Sequence, residues 1–178
     1  VALFLLTIVG LIDDRSDVNP YVRLLTNALA TVTIILAGAS IPYITNPLGE
    51  GVIHFAPPLS ALIAFLWIMW TTNIIGWSAG VDGQMPGFVT ISAFVLGLLS
   101  LRYSLADPVQ LSVTILAFVT SGAFLGFLPW NFSPQKIMPG YGGKTIAGFL
   151  LGVLSILSFA KLGTAIMVLG IPVMDAIF

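Results

Sequence analysis

The chain has 178 residues, of which 58% are hydrophobic and 7% are charged, and it contains no cysteine. Soluble domains carry about 25% charged residues, so this composition indicates an integral membrane protein. A formal net charge of −1 argues against a nucleic-acid partner, and the lack of cysteine excludes disulfides and thiolate metal sites.

Long apolar runs predict membrane-spanning helices, because a span needs about 20 mostly apolar residues. Lipid offers no hydrogen-bond partners, so the backbone N–H and C=O groups must bond to one another, as they do in a helix. Seven such runs follow one another: residues 1–12, 21–42, 58–76, 87–101, 109–128, 145–160 and 162–178. We therefore predict an all-α fold, a polytopic transmembrane helical bundle with a single domain over residues 1–178. Both ends of the sequence lie within apolar runs, so we expect it to be a fragment of a longer chain.

Alternating spans divide the charged residues between two membrane faces. One face is predicted to be cytoplasmic by the positive-inside rule. Its basic residues are Arg15, Arg23, Lys136 and Lys144, against Arg102 and Lys161 on the other face. Five of the seven acidic residues fall on the same face: Asp13, Asp14, Asp17, Asp82 and Asp175. Crowded carboxylates repel one another unless a cation compensates them, so this face is predicted to bind a divalent metal.

The stretch "GLIDDRSD", residues 10–17, places adjacent carboxylates at the end of the first predicted helix. Carboxylate oxygens suit Mg²⁺, which keeps several waters and shares phosphate ligands. The alternative interpretation is a solvated helix end that marks the membrane boundary.

The stretch "TTNIIGWSAGVDGQMPG", residues 71–87, interrupts the apolar sequence with an amide, a carboxylate and several glycines. Glycine lets the backbone approach a ligand closely, so Asn73, Gly80, Asp82 and Gly83 are candidate binding residues. The alternative is a plain turn between helices.

The stretch "NFSPQKIMPGYGGKTIAG", residues 131–148, runs through a glycine-rich turn into a helix predicted to begin near Lys144. Free N–H groups at a helix N-terminus beside a lysine are suited to a phosphate. The alternative is a flexible loop with a lysine that reaches toward the interface.

Together these stretches resemble the polyprenyl-phosphate N-acetylhexosamine-1-phosphate transferase family, which includes phospho-N-acetylmuramoyl-pentapeptide transferase. The first aspartate motif of that family is similar to "GLIDDR" followed by "NPYVRLL", and its Asn/Asp motif is similar to "FLWIMWTTNIIGWSAGVDG". Two later family regions are similar to "GFLPWNFSPQKIMPGYGGKTIAGFLLGVLSI" and "VLGIPVMDAIF". The order and spacing of these motifs match over nearly the whole chain.

The resemblance implies a reaction. A sugar 1-phosphate would pass from a UDP-activated amino sugar, such as UDP-N-acetylglucosamine, to polyprenyl phosphate with Mg²⁺, releasing UMP at the cytoplasmic face of the cell membrane. The implied partners are the polyprenyl phosphate lipid, the UDP-amino sugar and the membrane, and a homodimer is a further assembly to test. The pathway that the product would serve stays open among cell wall, lipopolysaccharide, teichoic acid and protein glycosylation lipids.

The resemblance also implies roles for particular residues. Asp13, Asp14 and Asp82 would be catalytic, and Asp14 and Asp82 would bind the metal. Asn73 would bind substrate by the same resemblance. Charge and position, rather than the family motif, add Lys136 and Lys144 as substrate-binding positions, and the glycine-rich loops add Gly80, Gly83, Gly140 and Gly143. We expect the third predicted helix to stop at Asn73, so that Asp82 meets Asp13 and Asp14 around a cation and a diphosphate.

Three polar positions of the family motifs are replaced, by Gly76, Ala79 and Tyr141. Tyr141 stands where the family has a metal-binding aspartate, and a neutral phenol is a poor Mg²⁺ ligand. Two hypotheses therefore stay open: a transferase with altered loops, or a non-catalytic relative that binds a lipid phosphate or a partner. A transporter is a third, but it predicts charges within spans, whereas these lie at span ends.

Overall fold

The computed structural model describes residues 1–46, 49–104 and 107–158, together with residue 170. Its helices are α1 Ala2–Ser16, α2 Pro20–Leu36, α3 Pro57–Ser78, α4 Gln84–Tyr103, α5 Pro108–Asn131 and α6 Tyr141–Leu157. Between α2 and α3, strands β1 Tyr43–Thr45 and β2 Val52–His54 pair as an antiparallel hairpin. The described part of the chain is predominantly helical, as predicted, and the short hairpin is a departure from the predicted all-α fold.

The prediction of seven membrane segments is not supported. Three of the described helices, α3, α4 and α5, are long and apolar enough to span a bilayer. Helices α2 and α6 have 17 residues each. At 1.5 Å per residue, that length is about 26 Å, short of the roughly 30 Å hydrocarbon core. The last predicted run, residues 162–178 with Asp175, lies outside the described residues except for residue 170.

The second and third helices also end at residues other than those predicted. Within the predicted span 21–42 the helix ends at Leu36, and Gly38 adopts a φ of 105°, a conformation that favours glycine. Asn73 does not end the third helix, because α3 continues to Ser78. Asn73 therefore lies on a helix rather than in a loop.

Local sequence explains where several helices begin. Proline occupies the first turn of α2, α3 and α5, where its missing N–H costs no intrahelical bond. Asn19 caps α2 by accepting from the Tyr21 N–H at 2.9 Å, and Asp107 caps α5 through the Val109 N–H at 2.9 Å.

Glycine allows α6 to pack closely against two other helices. A Cβ on Gly148 would meet Thr72 Cα of α3 at 2.5 Å, and one on Gly142 would meet Gly10 Cα of α1 at 3.1 Å. The buried core beside these contacts includes Ile68 and Leu151. Because its backbone lies against both α1 and α3, α6 fixes the ends of these helices relative to each other.

The connections α1–α2, α3–α4 and α5–α6 lie at one end of the bundle, here called the loop end. Asp14 at the end of α1 contacts Tyr141 at the start of α6, and Gly83 before α4 contacts Asn131 at the end of α5. Predicted site residues lie in the α3–α4 and α5–α6 connections, and Asp13 and Asp14 lie in the last turn of α1, so these residues collect at the loop end.

Candidate functional site

Asp13 is the buried acidic side chain of the loop end, with 7% of its surface exposed. Its Oδ1 accepts from Arg23 Nε at 2.5 Å and from the Val18 N–H at 3.0 Å. Arg23 also pairs with the exposed carboxylate of Asp17. The carboxylate of Asp13 is therefore already compensated by a protein cation.

Asp14, the next residue on α1, is exposed and contacts a different segment. Its Oδ1 accepts from the Tyr141 N–H at 2.7 Å, at the first position of α6. A Cβ on Gly140 would run into this carboxylate, so glycine is needed for the close approach. The negative charge also lies at the positive end of the α6 dipole, which stabilises the helix start.

Tyr141 joins three helices at the loop end. Its half-buried ring lies beneath Arg23, whose Cζ is 5.0 Å from the ring centroid, a cation–π distance. Its hydroxyl is 3.4 Å from Asn27 Oδ1, a long hydrogen bond to α2. The phenol thus lies beside the guanidinium where a carboxylate was expected from the resemblance.

A cleft of about 430 Å³ opens between α2, α3 and α6, and we call it the basic cleft. It is lined by Pro20, Tyr21, Arg23, Leu24, Asn27, Thr72, Asn73, Gly76, Trp77, Tyr141, Lys144 and Thr145. Among the residues that the structure describes, its lining has two cations, Arg23 and Lys144, and no carboxylate. Such a lining suits an anion with polar and aromatic surfaces.

Asp82 belongs to a second group of loop-end residues. Its Oδ2 accepts from the Gln135 N–H at 3.3 Å, while the neighbouring Gly83 N–H donates to Asn131 Oδ1 at 3.0 Å. Asn131 is 1% exposed and also donates to the Ile137 carbonyl at 3.0 Å. The α3–α4 loop is therefore tied to the α5–α6 connection, residues 132–140.

The other predicted binding residues divide between these two places. Asn73 and Lys144 line the basic cleft, and Gly140 and Gly143 lie one residue before and two residues after its Tyr141. Lys136 is exposed, with Nζ 5.8 Å from the Trp130 ring centroid, and it does not line the cleft. Gly80 and Gly83 lie on the loop that carries Asp82, and Gly83 requires glycine because its φ is 75°.

A comparison with known proteins decides the family. The sequence profile of Glycosyl transferase family 4 matches residues 1–159. The chain belongs to this family.

Several curated relatives resemble the family 4 chain. A probable undecaprenyl-phosphate N-acetylglucosaminyl 1-phosphate transferase of Bacillus subtilis is 29% identical, covering 100% of this chain and 50% of the relative. A decaprenyl-phosphate N-acetylglucosaminephosphotransferase of Mycobacterium leprae is 29% identical over 87% of this chain and 40% of its own length. A phospho-N-acetylmuramoyl-pentapeptide-transferase of Levilactobacillus brevis is 31% identical over 54% of this chain and 28% of its own length. The chain thus spans half or less of these relatives.

The family 4 chain does not bring Asp82 to Asp13 and Asp14 around one cation. Among the residues described, no three His, Cys, Asp or Glu side chains form a group that could hold a metal ion. Adjacent helix residues project about 100° apart, so Asp13 reaches Arg23 while Asp14 reaches Tyr141. This donor set does not fit a Mg²⁺ ion held by the protein alone, since a tyrosine phenol is a poorer Mg²⁺ ligand than the carboxylate that the resemblance led us to expect at position 141.

Two residues central to this geometry were missed by the sequence interpretation. Arg23 was counted only toward membrane orientation, and Asn131 only as part of a motif. An arginine ten residues after Asp13, with a helix start between them, was a usable signal for an ion pair. No sequence signal indicated that Asn131 would be buried.

Proposed function

We propose that the chain is part of an enzyme that transfers a sugar 1-phosphate from a UDP-activated amino sugar to polyprenyl phosphate and releases UMP. The observation that carries the proposal is the basic cleft, because it offers Arg23 and Lys144 to phosphate oxygens at the ends of apolar helices. The names of the relatives, all transferases acting on a sugar phosphate, support the same class of reaction.

The proposed chemistry is a phosphoryl transfer. An oxygen of the lipid phosphate attacks the sugar-bearing β-phosphorus of the nucleotide and forms a new P–O bond. The bond from that phosphorus to the oxygen bridging the two phosphates breaks, and UMP leaves with the oxygen and its electron pair. Arg23 and Lys144 offset the negative charge of the crowded phosphates, and this favours both binding and transfer.

The predicted residues keep proposed roles in this reaction. Asp13 orients Arg23 through their 2.5 Å contact, and Asp14 holds the α6 N-terminus beside the cleft. Asn73 supplies an amide to the cleft wall. Asp82 would act from the adjoining loop on the nucleotide side. Mg²⁺ dependence also stays a proposal: because Asp14 and Asp82 contact different segments, substrate phosphates would supply most of the oxygen ligands beside either carboxylate.

The loop end is proposed to face the cytoplasm. It carries Arg15, Arg23, Lys136 and Lys144, whereas Arg102 lies in the last turn of α4 at the opposite end. This distribution follows the positive-inside rule and would put the cleft where nucleotide sugars are made. A homodimer remains the assembly to test by size-exclusion chromatography with light scattering.

A second candidate is a non-catalytic relative that binds a lipid phosphate. The observation that favours it is the replacement of a family aspartate by Tyr141, together with the lack of a three-carboxylate group among the described residues. Mass spectrometry of lipid products separates the two. Full-length protein incubated with polyprenyl phosphate and a panel of UDP-amino sugars should yield a polyprenyl diphospho-sugar. A folded protein that binds substrate but yields no product with any donor would favour the second candidate.

A further inference from the structure

Arg23 is held in a fixed position at the wall of the basic cleft. Its Nε donates to Asp13 at 2.5 Å, another of its nitrogens pairs with Asp17, and the Tyr141 ring lies beneath its Cζ. A guanidinium has five N–H donors in a planar fork, and these two carboxylate contacts leave others available. Arg23 can therefore bind a phosphate without first giving up its carboxylate partners.

The carboxylates near the cleft are all turned to other contacts. Asp13 is buried against Arg23 and Val18, and Asp14 accepts from the Tyr141 N–H. None of them is in the described lining of the cleft, whose charged members are Arg23 and Lys144. A divalent cation entering this cleft would meet two positive side chains and no anionic ligand from the described residues. A phosphate entering it would meet two cations at the wall, with the Asp13 and Asp17 carboxylates paired to Arg23 behind it.

From this arrangement we infer that the basic cleft binds the phosphate oxygens of a substrate directly through Arg23 and Lys144, without a divalent cation. The inference deepens the proposed function and rests on it for the identity of the substrates. The shared chemistry is a phosphate ester dianion or diphosphate, supplied by either the nucleotide or the lipid. Any Mg²⁺ requirement would then belong to turnover and not to the binding step.

Tyr141 distinguishes this cleft from one with an aspartate at the same position, which the resemblance led us to expect. Its phenol adds no third carboxylate beside Arg23, which already pairs with Asp13 and Asp17, whereas an aspartate here would add negative charge at the cleft wall. Tyr141→Asp should therefore weaken anion binding in the absence of metal. It should also make the remaining binding responsive to Mg²⁺.

The test is calorimetric titration of the full-length protein in lipid nanodiscs, first with excess EDTA and then with Mg²⁺. The two titrants are UDP and farnesyl phosphate, a short polyprenyl phosphate, so that the nucleotide and lipid sources are measured separately. We expect at least one of them to bind in EDTA with a Kd within about threefold of its value in Mg²⁺. Binding of neither in EDTA would overturn the inference.

Variants assign the binding to the cleft. Lys144→Gln and Tyr141→Asp should each weaken the EDTA-resistant binding by about tenfold or more, because each removes or neutralises a charged hydrogen-bond donor. Arg102→Gln, which removes a positive charge at the opposite end of α4, should leave the Kd unchanged. Equal Kd values for Lys144→Gln, Tyr141→Asp and wild type would contradict the inference, whatever the source of the phosphate.

The outcome is separable from that of the proposed function. UMP formation that needs Mg²⁺, with no ligand bound in EDTA, would leave the transferase proposal standing and defeat the metal-free binding mode. Ligand bound in EDTA with no lipid product from any donor would support the binding mode and point to the non-catalytic relative.

Discussion

The carboxylate of Asp14 accepts a hydrogen bond from the backbone N–H of Tyr141 at 2.7 Å, joining residues 127 positions apart. Asp82 makes a similar contact with the Gln135 N–H at 3.3 Å. Two of the acids expected to bind a metal therefore bind backbone N–H groups, one within the α5–α6 connection and one at the start of α6. This structural role coexists with the proposed catalytic roles, and substitutions can separate the two.

Asp14→Ala should destabilise the protein by about 1 kcal/mol, the usual effect of losing a carboxylate at a helix N-terminus. Thermal unfolding of the full-length protein measures this loss. Asp107→Ala is the matched control, since Asp107 caps α5 through Val109 far from the cleft. Both variants should lose similar stability, but only Asp14→Ala should lower UMP release. Equal activities would show that Asp14 has a structural role alone.

The ion pair of Asp13 and Arg23 should respond unequally to loss of each partner. Arg23→Gln leaves the buried Asp13 carboxylate uncompensated, so it should cost about 3 kcal/mol. Asp13→Asn leaves Arg23 partly exposed and still paired with Asp17, so it should cost about 1 kcal/mol. Chemical denaturation of both single variants and the double variant checks this order. A larger loss for Asp13→Asn would contradict the burial argument.

Asn131→Ala should loosen the loop that carries Asp82. The Gly83 N–H and the Ile137 carbonyl would each lose their contact with the Asn131 side chain, at roughly 1–3 kcal/mol for each group left unsatisfied. Hydrogen exchange should rise in residues 80–84 and 132–138 and stay unchanged in α2. Asn131→Asp is the informative comparison, because it keeps the acceptor for the Gly83 N–H and loses the donor to the Ile137 carbonyl and to Gln135 Oε1.

Glycine substitutions test the helix packing that positions the cleft. Gly148→Ala should destabilise the protein by a few kcal/mol, because the new Cβ would lie 2.5 Å from Thr72 Cα and 2.8 Å from the Thr71 carbonyl oxygen. Gly122→Ala is the control, since nothing lies within 4 Å of its Cβ. It should raise stability by up to about 1 kcal/mol through helix propensity. Similar stabilities for the two variants would contradict the close contact of α3 and α6.

The sequence predicted the helical class well, because long apolar runs leave few other ways to satisfy backbone hydrogen bonds. It did not predict where α2 ends, since a short, mostly apolar stretch such as residues 37–44 is compatible with a helix or a strand. In the structure the helix ends before Gly38, and residues Tyr43–Thr45 pair with the second strand of the hairpin. The described residues contain fewer helices of membrane-spanning length than the hydropathy predicted, because hydropathy alone does not fix helix length.

The predicted site residues collect at the loop end, where Asp14 and Tyr141 meet, but their contacts were not predicted. The direction of each side chain depends on helix phase and on partners distant in sequence, as with Asp13 and Arg23 on α1 and α2. A count of acids therefore indicated a metal cluster, whereas the folded chain pairs one acid with arginine and two with backbone amides.

The most direct measurement is UMP release by the full-length protein in lipid, given polyprenyl phosphate and a panel of UDP-amino sugars, with Mg²⁺ and then with chelator. We expect UMP from at least one donor, at a rate that falls by about tenfold or more in Lys144→Gln and is unchanged in Arg102→Gln. No UMP from any donor, from folded protein in either condition, would contradict the transferase proposal.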